Sequence, residues 1–381
     1  MERIKRTWAE ISLDALRHNV EEYQRIADGT PLMGIIKADG YGHGDVMTAG
    51  ALHEAGVRFF GVSGLAEAIC LRNGGVGGDI LILGYTPPEQ AELLSRYDIT
   101  QTVYEQAYGE RLSRAAQAAG VEVKCHVKID TGMNRIGFVP QVQAVLPVYR
   151  LPRLRFTGIF THFCCADEDT PKGVQFTKTQ FARFASVIDG LVQEGIDVGV
   201  RHCCNTAAAL RFPEMRMDLV RVGIGLYGLS PEQDAENNPF LQPAMTMKSV
   251  VSMLKTVQPG EYIGYGATYQ VQTPMRVATV PVGYADGYPR LLSNKGRMRV
   301  GGAFAPVVGR VCMDQLMLDV TGLPVKEGDE VVVFGAGGPS ADELARETGT
   351  INYEIVCGVS RRVPREYRQG GRIVCYKDYT L

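Results

Sequence analysis

The sequence predicts an α/β fold: an N-terminal (β/α)8 TIM-type barrel over residues 11–240, followed by a mostly β C-terminal domain over 241–381. Three observations predict it. Short apolar runs near 32–37, 58–63, 79–84, 99–103, 123–129, 155–160, 198–203 and 219–222 alternate with helical patterns such as 89–97, 105–119 and 175–194. Strands alternating with helices pair in parallel, and about eight such units in roughly 230 residues fit a closed barrel better than an open sheet. Around Pro239-Phe-Leu-Gln-Pro243 the rhythm breaks into short strands with Gly and Pro between them. The chain of 381 residues is also too long for one ordinary core, so two domains are expected.

In chain order, Ser12 precedes Leu13, Leu16, Val20 and Tyr23, whose spacing of three and four predicts a helix from 13 to about 27 with Ser12 as N-cap. Next comes Met33-Gly-Ile-Ile-Lys37-Ala-Asp-Gly-Tyr41-Gly-His-Gly44, an apolar strand running into a lysine and a glycine-rich loop. Such a strand is buried on both faces, so Lys37 is expected at a rim where loops gather. Desolvation there lowers an ammonium pKa, and a neutral amine condenses with an aldehyde; a lysine that merely snorkels to water is the competing reading. In the second domain strands are expected at 247–257, 275–282, 297–300, 307–313, 316–320, 330–334, 351–357 and 372–376, with one weak helix at 340–348. Phe334-Gly-Ala-Gly-Gly338 reads as a turn, because it lacks the rest of a dinucleotide fingerprint.

Forty basic against forty-two acidic residues give a net charge of −2, which argues against nucleic acid or an anionic membrane as partner and favours a small ligand. The N-terminus carries no apolar segment after its charges, and no apolar run reaches the ~18 residues of a membrane span, so a cytoplasmic protein is expected. The nine cysteines are odd in number and lack CxxC spacing, so they read as small buried hydrophobes in preference to a disulfide framework or a zinc site. Adjacent pairs such as Cys164-Cys165 are expected on opposite faces of a strand.

A barrel gathers its site at the carboxyl ends of its strands, with phosphate held after the seventh and eighth. There the sequence places Lys37, Lys128 followed by Asp-Thr-Gly-Met-Asn-Arg135, Thr161-His162, Cys204-Asn205-Thr206 and Arg221-Val-Gly223-Ile224. Taken singly, His162 caps a strand, Arg135 and Arg221 make rim ion pairs, and Asn205 caps the Ala-rich helix after it. Their agreement on one rim raises the site reading.

These motifs carry a resemblance. Ile36-Lys37-Ala-Asp-Gly-Tyr41-Gly-His-Gly, Lys128-Ile-Asp-Thr-Gly-Met-Asn-Arg135-Ile-Gly, Thr161-His162-Phe, Asn205-Thr206-Ala-Ala, Arg221-Val-Gly223-Ile224-Gly-Leu-Tyr-Gly, Tyr265-Gly-Ala-Thr-Tyr, Gly283-Tyr284-Ala-Asp-Gly, Cys312-Met313-Asp314-Gln and Ile351-Asn-Tyr353-Glu recur in order. Over essentially its whole length the chain resembles bacterial alanine racemases, fold-type III pyridoxal phosphate enzymes. The resemblance implies that Lys37 carries pyridoxal 5′-phosphate and, once freed, is one base of a two-base interconversion of L- and D-alanine that supplies peptidoglycan. The second base would be Tyr265 contributed by the partner subunit of a homodimer. Free tyrosine titrates near 10, so cationic neighbours must favour its phenolate, and His162 with Arg221 resemble that network. Tyr41, Asn205, Thr206, Gly223 and Ile224 would bind phosphate, Arg221 would face the pyridine nitrogen, and Tyr353 would line the cofactor site. Arg135 would lie by the substrate carboxylate, positioned by a carbamylated Lys128. Met313, Asp314 and Tyr284 would shape the substrate entry from the opposite subunit or the rim.

Three rivals share parts of this pattern. Fold-type III decarboxylases have the same two domains, but their phosphate loop of consecutive glycines is missing here. Single-domain pyridoxal phosphate-binding proteins lack a second domain of roughly 140 residues. A serine or broad-specificity racemase is nearest; family members active on serine tend to replace the tyrosine at position 353, which this chain keeps, although a pocket excludes one added hydroxyl only weakly.

Overall fold

The computed structural model describes residues 5–232 and 238–380. Eight parallel strands, β2 (Leu32–Ile35), β3 (Phe59–Val62), β4 (Asp79–Ile82), β5 (Ile99–Val103), β6 (Val123–Lys128), β7 (Leu154–Phe160), β8 (Val200–His202) and β9 (Val220–Val222), form one sheet in the order β8-β7-β6-β5-β4-β3-β2-β9. Strands buried on both faces are read as continuous apolar runs, and β2, β3 and β4 after Asp79 are of that kind, whereas β5 and β9 are buried with Thr, Gln and Arg among their residues. The edges β8 and β9 meet through Asp218 N–H donating to Arg201 O at 3.1 Å and Arg221 N–H donating to Cys204 O at 3.1 Å, so the barrel is nearly closed. Helices between strands cover it, the longest being Pro171–Gln193.

The helix Leu13–Ala27 begins where the sequence places it, with Ser12 Oγ accepting from Ala15 N–H at 3.1 Å. The strand before it, β1 (Thr7–Ser12), belongs to a different layer. It lies antiparallel to Met245–Val250 and parallel to Arg365–Gln369, inside a seven-stranded sheet that also holds Ala303–Pro306, Arg297–Val300, Glu330–Phe334 and Arg372–Lys377. Met253–Val257, Met275–Val280 and Leu316–Asp319 form a three-stranded sheet, and Tyr262–Ile263 pairs with Tyr269–Gln270.

Several elements differ from expectation. The strand expected at 32–37 stops at Ile35, and Lys37 opens a left-handed turn instead of ending the strand. The run 351–357 is the helix Asn352–Cys357, because so short a β-branched run suits either state and its packing decides. The run 247–257 breaks at Val251 and enters two sheets, and in 307–313 only Val307 makes a bridge, to Leu318. Two helices unmarked in the sequence reading, Asp45–Glu54 and Leu65–Asn73, complete the early barrel units. Cys164 and Cys165 do not alternate along a strand; they sit in a bend beyond β7 with their Sγ atoms 3.6 Å apart.

Candidate active site

The turn after Lys37 is built against local preference. Ala38, Asp39, Gly40 and Tyr41 have φ of 55°, 54°, 61° and 51°, and Gly42 follows at 80°. Each non-glycine residue in that region costs about 1 kcal/mol or more, so surrounding contacts must hold it. Glu67 Oε1 accepts from Ala38 N–H at 2.8 Å, and Asp39 Oδ2 accepts from Tyr379 Oη at 2.8 Å. His43 Nδ1 donates to Tyr41 O at 2.9 Å, and Tyr227 Oη donates to Ile35 O at 2.8 Å. A Cβ at Gly42 would collide with Val356 O, so only glycine lets the helix Asn352–Cys357 approach this turn. Burial, and then the Arg135 guanidinium, hold the Lys37 ammonium below its usual pKa range.

Across the barrel end Arg221 is buried and held on several sides. Its Nη1 donates to His202 Nδ1 at 3.0 Å and His202 O at 3.1 Å. Its Nη2 contacts Thr161 O at 2.8 Å, Cys203 O at 3.0 Å and His162 Nδ1 at 3.1 Å. A guanidinium has no acceptor, so both imidazoles must accept through Nδ1 and carry their protons on Nε2. His202 Nε2–H then donates to His126 Nδ1 at 3.0 Å, extending the chain into the barrel. Burial holds all three imidazoles below the usual histidine range and brings the guanidinium down to about 10, so neutral rings accept from a charged arginine.

Lys128 ends β6 in the same cluster of cations. Burial, then Arg135 and Arg221, bring its ammonium down to about 7. The Phe160 ring lies 5.7 Å from Lys128 Nζ and 5.5 Å from Arg221 Cζ, and stacks on His202 at 4.9 Å. On another wall Asn205 caps the helix Thr206–Arg211 by accepting from Ala208 N–H at 3.0 Å, and Thr206 Oγ1 accepts from Gly223 N–H at 2.9 Å. A Cβ at Gly223 would lie 2.7 Å from Tyr41 Oη, so glycine keeps that polar corner open.

One cavity of ≈ 720 Å³ joins these groups. Lys37, Tyr41, Lys128, Arg135, His162, Asn205, Thr206, Arg221, Gly223, Ile224 and Tyr353 all line it, and the Tyr353 ring meets Tyr41 at a 49° tilt with ring centroids 6.0 Å apart. Tyr265, Tyr284, Met313 and Asp314 do not line it. Tyr265 stands 70% exposed on the turn Tyr265–Ala267, with Tyr284 and Met313 also exposed. Asp314 accepts from Arg362 Nη2 at 2.7 Å.

The comparison with known sequences follows this geometry. Residues 11–231 match the model of the alanine racemase N-terminal domain, and residues 244–367 match that of the alanine racemase C-terminal domain. The chain belongs to the alanine racemase family. Alanine racemase 1 of Clostridium acetobutylicum is 40% identical over 384 residues, 99% of each chain. The alanine racemase of Desulfovibrio desulfuricans is 45% identical over 364 residues, 94% of this chain and 97% of its own. The solved alanine racemase of Clostridium difficile 630 superposes with a TM-score of 0.93 at 38% identity over the whole of both chains. That of Bacillus anthracis with bound L-Ala-P gives 0.93 at 34%, covering 100% of this chain and 99% of its own.

Behind the site of this alanine racemase family member lie supporting side chains that no sequence motif marks. His202 and His126 lack a motif of their own; the available signal is that His126 stands two residues before Lys128 and therefore on the same face of β6. Gln180 is a second omission, since its Nε2 donates to His162 O at 3.1 Å from the middle of the long helix. Among the described residues no helix is long and apolar enough to cross a membrane, and no group of three or more His, Cys, Asp or Glu is placed to hold a metal ion.

Proposed function

We propose that this chain interconverts L-alanine and D-alanine with pyridoxal 5′-phosphate, using Lys37 on one face of the substrate and Tyr265 of the partner subunit on the other, and that its product supplies peptidoglycan. The carrying observation is that one cavity pairs an acidified lysine with a multiply held arginine while Tyr265 stands outside it. Removing a proton from one face of Cα and returning it on the other needs two donors on opposite sides. A homodimer that brings Tyr265 over the cavity of its neighbour supplies the second.

The residues present fit the cofactor. Tyr41 Oη, the Thr206 hydroxyl and the backbone around Gly223 and Ile224 meet at one end, with Asn205 at the start of a helix beside them, a donor set suited to phosphate. When bound, pyridoxal phosphate supplies an aldehyde for the lysine and a ring that withdraws electrons from Cα. Lys37 then loses and regains a proton at Nζ, and its lowered pKa makes the neutral amine available. Arg221 keeps its charge at neutral pH and donates through the guanidinium without handing over a proton, which limits charge withdrawal and favours prompt reprotonation of Cα. His162, neutral and accepting from Arg221 at Nδ1, is polarised by that guanidinium and can donate a hydrogen bond from Nε2–H toward the position Tyr265 would occupy, which favours its phenolate.

Arg135 fits the substrate carboxylate, since a planar guanidinium binds it by two parallel hydrogen bonds. Lys128 fits a carbamate: near pH 7 much of it is the neutral amine that adds carbon dioxide, and the resulting anion balances Arg135 and Arg221. Tyr353, packed on Tyr41, narrows the pocket to a small side chain, with Tyr284, Met313 and Asp314 placed at the dimer entry. The purified protein should show cofactor absorbance and drive the circular dichroism of L-alanine to zero, with L-serine slower. Lys37→Ala should lower the alanine rate by about 100-fold or more. Wild type without cofactor absorbance, or an unchanged rate in Lys37→Ala, would overturn the reading.

A further inference from the structure

Beyond β7 the chain bends instead of continuing as a strand, and the bend brings two thiols together. Cys164 Sγ and Cys165 Sγ are 3.6 Å apart, both partly exposed, and Cys164 lines the cavity that holds Lys37. A disulfide measures about 2.05 Å, so rotations of the two side chains with a twist of the peptide between them bring the sulfurs to bonding distance. The bend is tied to the site. Gln180 Oε1 accepts from Cys164 N–H at 3.1 Å, while Gln180 Nε2 donates to His162 O at 3.1 Å and Thr131 Oγ1 at 3.2 Å. Asn205 Nδ2 donates to Phe163 O at 3.3 Å. A second adjacent pair is a natural contrast: Cys203 and Cys204 are buried, and both thiols donate to Met215 O.

We propose that Cys164, in the wall of the substrate cavity, and Cys165 behind it are a redox-sensitive dithiol, which small disulfides close into a vicinal disulfide that slows the enzyme. The Cys164 thiolate attacks the small disulfide, forming a mixed disulfide and releasing one thiolate. Cys165, after giving its proton to solvent, attacks Cys164 Sγ and releases the second. The pair loses two electrons and two protons, and the small disulfide becomes two thiols. Closure constrains the intervening peptide in a small ring, which pulls Cys164 N–H from Gln180 and disturbs the anchor of His162. Burial, the Cys164 thiol and the carboxylates of Asp167 and Glu168 push the Cys165 thiol up to about 11, so the second step is slow and sustained oxidant is required.

The test incubates holoenzyme with oxidised glutathione, alkylates it, and maps peptides by mass spectrometry beside the racemase rate. The expected peptide containing Cys164 and Cys165 is lighter by two hydrogens and takes alkyl groups only after reduction, while the rate falls by half or more and returns with dithiothreitol. Cys165→Ser should keep the untreated rate and lose both the bridge and the recoverable inhibition. Phenylarsine oxide, which condenses with paired thiols and releases water, should bind wild type at this peptide and leave Cys165→Ser free. The rate arm rests on the proposed racemase activity; the peptide map does not, so the two fail separately. Full alkylation of both cysteines after oxidation, a bridged protein with unchanged rate, or equal inhibition of Cys165→Ser would each overturn the proposal.

Discussion

Lys128 shows how far a buried charge can be moved by its neighbours. In the folded chain its ammonium titrates at about 7, whereas an unfolded lysine holds its proton to about 10.4. Between those values the unfolded chain binds more protons, so this residue makes stability rise with pH, and below about 7 its buried charge is destabilising in full. Lys128→Met removes that dependence. In carbonate-free buffer, urea unfolding should therefore show the variant's stability relative to wild type highest near pH 6 and declining toward about pH 8.5, before free thiols titrate. A difference that stays flat with pH would place the lysine's proton elsewhere. His202 invites a second measurement. His202→Leu leaves Arg221 Nη1 without its imidazole acceptor, an uncompensated buried donor that costs about 1–3 kcal/mol. Because it lies behind Arg221 and outside the cavity lining, the loss should appear in unfolding and in the pH profile of kcat before it appears in KM for alanine.

Among the elements, the left-handed turn 38–42 governs where Lys37 stands. Gly42→Ala introduces a side chain at positive φ against Val356 O, and either the turn or the helix Asn352–Cys357 must move. The alanine rate should fall at least tenfold while far-ultraviolet circular dichroism stays near wild type, since the barrel strands are untouched; a rate within twofold of wild type would show that the turn has slack. This element also marks the limit of what local sequence reveals. Lys37, Lys128, Asn205 and Arg221 were legible because barrel rhythm puts strand ends at one rim. The turn was not, because three of its five residues are non-glycine and are held left-handed by Tyr227, Glu67 and Tyr379, far away in sequence. The helix Asn352–Cys357 was hidden for a related reason: Ile351-Asn-Tyr-Glu-Ile-Val-Cys357 carries strand-like β-branched residues, and contact with the turn selects the helix. Adjacency puts Cys164 and Cys165 on opposite faces only where the chain remains a strand, and here it bends.

At the scale of the whole molecule, Tyr265, Tyr284 and Met313 are exposed and stand outside the cavity lining. If two chains share their sites, dimers mixed from Lys37→Ala and Tyr265→Phe chains pair an intact lysine with an intact tyrosine in one of two sites. Their activity should approach half that of wild type although each parent is nearly inactive, and mixed dimers no better than the parents would exclude sharing. The motifs around these residues are visible in the sequence; that they serve a neighbouring chain is implied only by the family resemblance, because a single chain carries no record of what packs against it.

The placement of β1 has a separate consequence. Its residues Thr7–Ser12 are sandwiched between Met245–Val250 and Arg365–Gln369, so a strand that precedes the barrel takes its place between two that follow it. Most barrel strands pair with the next strand in sequence, whereas this sheet needs closure of a loop that contains the whole barrel, and so long a closure is slow. Until both flanking strands arrive, β1 presents an open edge of unpaired backbone groups, the kind of edge that invites pairing with another chain.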